Sequence, residues 1–208
     1  MPKYRDNLPQ LSGDLFLTDG GLETTLIFHD GFDLPCFAAF CLLKDVEGRS
    51  AIEKYLSTYA AIARDNDAGF IFESPTWSAS ADWGAQLSYS DEDLAEANRA
   101  SIDLLLDLRG AYETGSAPMV ISGNIGPRGD GYIIEKAMSA DDAQAYHAAQ
   151  VGVFSRTEAD MIGALTMTSA EEAIGVTRAS MAAGMPVSIS FTVETDGRLP
   201  SGQPLGDA

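Results

Sequence analysis

Five short apolar runs punctuate the chain: Leu15–Thr18, Phe70–Glu73, Met119–Ser122, Met161–Leu165 and Val187–Thr192. Each is mostly apolar, with no clean alternation of polar and apolar positions. Strands buried on both faces, as in a parallel sheet covered by helices, read this way. Between the runs the apolar spacing becomes helical, behind recognisable start signals. Ser50 and Glu53 fit a capping box ahead of Ile52, Tyr55, Leu56, Tyr59 and Ile62. Ser90 with Asp93 precedes Leu94, Ala97, Leu104, Leu105 and Leu108, and Ser139 with Asp142 precedes Ala143, Tyr146, Val153 and Phe154. Ser169 with Glu172 precedes Ala173, Ile174, Thr177 and Met181, and Gly184 ahead of Pro186 marks a helix end. Capping signals that alternate with strand candidates predict a βαβ series, hence a parallel α/β architecture.

Such a series closes either as an open doubly wound sheet or as a barrel. No GxGxxG follows the first run, which counts against a dinucleotide-binding fold. The stretch after each run is polar and rich in Gly, Thr, Ser or Asn, and a barrel builds its site from such strand ends. Patterning alone leaves both architectures open.

Composition narrows the function more than the fold. The chain has 208 residues, 45% hydrophobic and 21% charged, an ordinary make-up for one domain. Lys and Arg total 13 against 31 Asp and Glu, a formal charge of −18, which repels phosphate backbones and argues against nucleic-acid binding. The opening MPKYRDNLPQ has no apolar signal-peptide core, and no apolar run reaches the ~18 residues of a membrane span. With only Cys36 and Cys41, these features predict a cytoplasmic protein in a reducing compartment, with no membrane partner. A Cys-x4-Cys pair without further Cys or nearby His is read as structural or incidental, since metal sites usually need three or four ligands.

Candidate chemistry sits at the strand ends. In LTDGGLETTL, Leu17 to Leu26, a strand ends in Asp19, and Gly20 and Gly21 let the backbone turn sharply and approach a ligand. Asp19 is placed either to accept hydrogen bonds from a substrate ammonium or to cap the following helix. Glu73 ends the second run as either a site acid or a polar contact at the barrel mouth. His147 falls within a predicted helix and reads as structural, and Glu171 and Glu172 read as a pair favoured by the helix dipole. His29 and His147 are the only histidines, so a Ser-His-Asp triad has no support.

Five strand-end segments in register, LTDGGLETTL, FESPTWSAS, ISGNIGPRGD, IGALTMTSAEEA and SISFTVETDGRLPSGQPL, together resemble the homocysteine S-methyltransferase family over nearly the whole chain. The resemblance implies a (β/α)8 TIM barrel, of which residues 1–208 would form about five β/α units. It implies zinc-assisted transfer of a methyl group from a donor to the thiol of homocysteine or a related thiol, forming methionine. Substrate-binding positions carried over are Asp19, Gly20 and Gly21 on the first strand, and Thr76 and Trp77 after the second. Ser122, Gly123, Gly126 and Pro127 match a segment of the third strand, where Asn124 joins the candidates, as do Glu73 and Thr166. At the fourth strand the family commonly has Glu-Thr, and here Leu165 and Thr166 stand there. The family's zinc-binding cysteines lie after the sixth strand and in a pair after the eighth. The expectation is therefore that the C-terminal units lie outside this chain, that neither Cys36 nor Cys41 is a ligand, and that these residues alone are inactive. A non-catalytic binding or assembly module with open sheet edges, and a different barrel enzyme, remain the alternatives.

Overall fold

In a computed structural model, which describes residues 1–134 and 137–208, the five apolar runs are strands: β1 (Phe16–Leu17), β2 (Gly69–Glu73), β3 (Met119–Ile125), β4 (Met161–Met167) and β5 (Val187–Phe191). They pair in sequential order β1-β2-β3-β4-β5, every pair parallel. Helices return the chain across one side: α1 (Leu22–Phe28) and α2 (Val46–Asp65), then α3 (Ala81–Gln86) and α4 (Asp91–Tyr112), α5 (Ala140–Ser155), and α6 (Ala170–Ala182). The result is a curled half-barrel, a partial TIM barrel, and the doubly wound alternative falls.

The reason for the continuous apolar runs is visible in burial. All seven residues of β3 are buried, with helices on one face and the barrel interior on the other. Phe70, Phe72, Ile121 and Ile162 join Ile52, Leu56, Leu105 and Phe154 in one core. β5, at the sheet edge, alternates half-buried with exposed residues.

Three predicted caps hold. Ser90 and Asp93 form a complete capping box, and the Ser139 and Ser169 hydroxyls accept from the backbone N–H groups of Asp142 and Glu172. Gly184 takes a φ of 68° just past α6, a left-handed stop that glycine adopts without a Cβ penalty. The Ser50 box does not form. α2 begins five residues earlier, because Asp45 accepts from the Gly48 N–H at 2.7 Å and caps it there. The first turn escapes the periodicity because it contains Gly48, where a Cβ would lie 2.6 Å from the Leu42 carbonyl oxygen.

At the N-terminal ends of the strands the chain is tied shut. Asp160, fully buried, accepts from Arg109 Nη1 at 2.8 Å, the Ile121 N–H at 2.9 Å and the Tyr4 N–H at 2.8 Å. Arg5 adds guanidinium bonds to the carbonyls of Ser155, Thr157 and Ala159.

Candidate active site

The C-terminal ends of β1 to β4 open into a pocket of about 510 Å³. Asp19, Gly20, Gly21, Glu73, Trp77, Asn124 and Thr166 all border it, so most of the strand-end candidates converge on one space. Parallel pairing in sequential order does this, since every strand delivers its polar terminus to the same end of the barrel. Thr192 follows β5 at that end too, and its hydroxyl donates to the Gly131 carbonyl at 2.6 Å.

Asp19 leaves β1 and does not cap α1, whose N-cap is Gly21 with no side-chain cap bond. Its Oδ2 instead accepts from the Tyr55 hydroxyl at 3.0 Å. Burial pushes its pKa up, while the Tyr55 bond pulls it partly back. Gly20 packs under Tyr59: a Cβ there would lie 2.9 Å from the Tyr59 hydroxyl, which would have to shift. Glu73 is more strongly perturbed, its pKa pushed up to about 7 chiefly by burial, with the Ser122 hydroxyl pulling it partly back and the neighbouring Asp19 charge adding a smaller push. Glu23, in the first turn of α1 on the pocket wall, is also shifted up by burial.

Trp77 and Thr166 form one unit. The indole N–H donates to Thr166 Oγ1 at 2.9 Å, and Thr166 Oγ1 donates to its neighbour's carbonyl at 2.6 Å. Thr166 takes a φ of 57°, uncommon outside glycine, at an irregularity in the β4–β5 register between Ala164 and Met167. A bulge of this kind re-aims a side chain, here towards the ligand space. Gly126 packs against Trp77 so closely that a Cβ would sit 2.6 Å from its carbonyl oxygen.

Two candidates support the pocket without lining it. Thr76, fully buried, donates to the Asn124 carbonyl at 2.8 Å, and Ser74 Oγ accepts from the Asn124 N–H at 2.8 Å. These bonds clamp the end of β2 to β3. Ser122 is buried beneath Glu73, its register partner.

Glu23, Thr24, Cys36, Phe37, Trp83 and Tyr132 also reach the pocket and were not legible in advance. Glu23 lies inside the LTDGGLETTL segment, two positions beyond the glycines, and that adjacency was its only signal. Cys36 and Phe37 arrive through consecutive left-handed residues with φ of 57° and 52°, which no pattern announces.

Behind the site, Glu172 is buried. One of its oxygens accepts from the Arg128 N–H at 2.6 Å and pairs with His147 Nε2 at 2.9 Å. It is therefore more than the dipole-favoured surface charge its position predicts, and it anchors the loop after β3. His147 lies buried within α5, the helix its position predicts.

The residues present do not make the zinc site that the family resemblance implies. Among the described residues no group of three His, Cys, Asp or Glu side chains is placed to hold a metal ion. Cys36 and Cys41 are free thiols, and only Cys36 reaches the pocket.

A curled parallel sheet with its ligand pocket at the C-terminal strand ends defines a barrel protein of the TIM type. The chain belongs to the homocysteine S-methyltransferase family, whose model matches residues 16–208. Its fold is that of the Escherichia coli homocysteine methyltransferase MmuM. The oxidized form gives a TM-score of 0.78 at 19% identity, covering 99% of this chain and 71% of that one. The metallated form gives 0.75 at 20% identity over 96% and 71%, and the apo form 0.65 at 19% over 97% and 68%. No curated protein sequence matches the chain.

Proposed function

We propose that the pocket at the C-terminal strand ends binds homocysteine, or a closely related amino-acid thiol, as the acceptor of a methyl group that becomes part of methionine. The observation that carries this reading is the convergence of Asp19, Glu73 and Asn124 on one space under the aromatic wall of Trp77, within a chain of this family. A carboxylate recognises an ammonium through charge-assisted hydrogen bonds. Gly20 and Gly21 bring backbone close to the ligand, Trp77 and Thr166 shape the apolar side, and Thr76 and Ser122 hold the strands that carry Glu73 and Asn124. Leu165, on the pocket wall where the family commonly carries Glu, removes one acidic contact and favours an acceptor that uses the others.

Zinc is the metal we propose for the reaction, where it holds a substrate sulfur as thiolate. Among the described residues no set of side chains fits it. The remaining partners are a methyl donor and the thiol, with no nucleic acid. Among the described residues no helix is long and apolar enough to cross a membrane. Two free thiols fit a reducing cytoplasm.

The test is to titrate the purified 208-residue chain with homocysteine while following the fluorescence of Trp77 and Trp83. Saturable binding is expected, with no stoichiometric zinc by metal analysis and no methyl transfer. Absence of binding at millimolar homocysteine contradicts the acceptor assignment. One tightly held zinc, lost on mutating Cys36 and Cys41 together, contradicts the metal assignment.

A further inference from the structure

The pocket at the C-terminal strand ends carries a nucleophile that the acceptor reading leaves unused. Cys36 borders it, together with Trp77, Trp83 and Asn124. Its thiol is free and half-buried, and the sulfur meets Gln86 Oε1 at 3.9 Å, a long contact to the last residue of α3. Cys41 is also free and half-buried, but it does not line this pocket. The two thiols are alike in exposure and unlike in place.

Two polar atoms on the same walls stand open. Asn124 is 9% exposed, and its Oδ1 is screened from solvent with no hydrogen-bond partner among the described residues. The indole nitrogen of Trp83, on the helix that Cys36 contacts, is likewise screened and unpartnered. Buried polar groups are normally paired. An open acceptor and an open donor on one space call for a polar ligand, and Cys36 lies on the wall that such a ligand meets.

A thiol beside a space that takes a thiol has a specific reactivity. The reduced acceptor cannot bond to it, but the acceptor's disulfide can. We propose that Cys36 is a thiolation site, forming a mixed disulfide with a small disulfide that enters the pocket and so filling the acceptor space. The inference rests on the homocysteine reading for the identity of the preferred disulfide, homocystine. Cys36 gives its proton to solvent, and the thiolate attacks one sulfur of homocystine. A Cys36 Sγ–S bond forms and the original S–S bond breaks. One homocysteine leaves as thiolate and takes a proton from solvent. Homocystine is reduced as Cys36 is oxidised, so the exchange needs no further oxidant, and a second thiol reverses it. Cys36 therefore couples occupancy of the pocket to whether the acceptor is present as thiol or as disulfide.

The experiment treats the reduced 208-residue chain with homocystine or with hydroxyethyl disulfide, which has no amino-acid groups. Adducts at Cys36 and Cys41 are followed by peptide mass spectrometry. With homocystine, Cys36 should react about tenfold faster than Cys41, because binding beside the thiol makes the exchange effectively unimolecular. Homocystine should outpace hydroxyethyl disulfide at Cys36, and excess methionine, which has no thiol, should slow it there. In denaturant the two thiols should react alike. Cys41→Ser should keep the adduct, Cys36→Ser should lose it, and dithiothreitol should remove it. Cys36 ahead of Cys41 with both disulfides, but with no preference for homocystine and no protection by methionine, keeps the site and removes homocysteine as its ligand. Equal rates at the two thiols of the folded chain with both disulfides, or an adduct on Cys41 alone, overturns the site even where the fluorescence titration shows that homocysteine binds.

Discussion

The two ends of the half-barrel handle buried charge in opposite ways. At the N-terminal ends of the strands, Asp160 is fully buried and fully answered, by Arg109, by Tyr4 and by a strand N–H. At the C-terminal ends, Asp19 retains one tyrosine hydroxyl, and Glu73 is screened from solvent with only the Ser122 hydroxyl beside it among the described residues. The same residue class thus serves two ends. A carboxylate whose hydrogen bonds are complete closes a fold. One whose bonds are incomplete, in a pocket, is held ready for something that enters. In this molecule the sheet is fastened at one end and leaves carboxylates incompletely bonded beside a pocket at the other.

The largest expected effect breaks the fastened end. Asp160→Ala leaves Arg109 buried without its counter-charge, and removing one partner of a buried pair costs about 3–5 kcal/mol. Denaturant unfolding should show that loss. A loss under ~1 kcal/mol would mean that the lower end is no firmer than the upper.

The next sharpens the contrast in the other direction. The folded-state pKa of Glu73, about 7, lies above the ordinary glutamate value of 4.5, so the folded protein holds a proton that the unfolded chain has shed between those values. Stability from this group therefore declines as pH rises through that window, and the penalty is complete above it. Glu73→Gln, which cannot ionise, should be more stable than wild type at pH 8 by on the order of 2 kcal/mol, and the gap should close towards pH 5. A destabilised Gln variant at pH 8 would show that the carboxylate has a structural partner. The smallest effect lies away from both ends: Ser139→Ala removes the hydroxyl that caps α5 and should cost ~1 kcal/mol in thermal unfolding, with no change in ligand binding.

The two ends also differed in how well the sequence announced them. The fold was readable because apolar runs on doubly covered strands and Ser-x-x-Asp or Ser-x-x-Glu caps are local signals. β2 and β3, and the starts of α4, α5 and α6, fall where those signals place them. The upper end was readable as far as strand ends carry chemistry, hence Asp19, Glu73, Asn124 and Thr166 in one pocket. The start of α2 was hidden by Gly48, a residue chosen for its contact with Leu42 and not for helix formation. Cys36, Phe37, Trp83 and Tyr132 reach the pocket from loops and a short helix whose paths depend on tertiary packing. Glu172 looked like a surface charge because its partners, His147 and Arg128, are 25 and 44 residues away in sequence.

The claim that the upper end is built for an amino-acid ligand is tested most directly at Asp19. Asp19→Asn keeps the shape and one acceptor but removes the charge, and a charged hydrogen bond is worth roughly 1.5–3 kcal/mol. Affinities of wild type and variant are measured for homocysteine and for its des-amino analogue, with the unfolding midpoint recorded beside them. The account predicts a loss of about 10- to 100-fold for homocysteine, almost none for the analogue, and little change in midpoint. Equal losses on both ligands, or a lowered midpoint with unchanged affinities, would make Asp19 a structural residue and contradict the account.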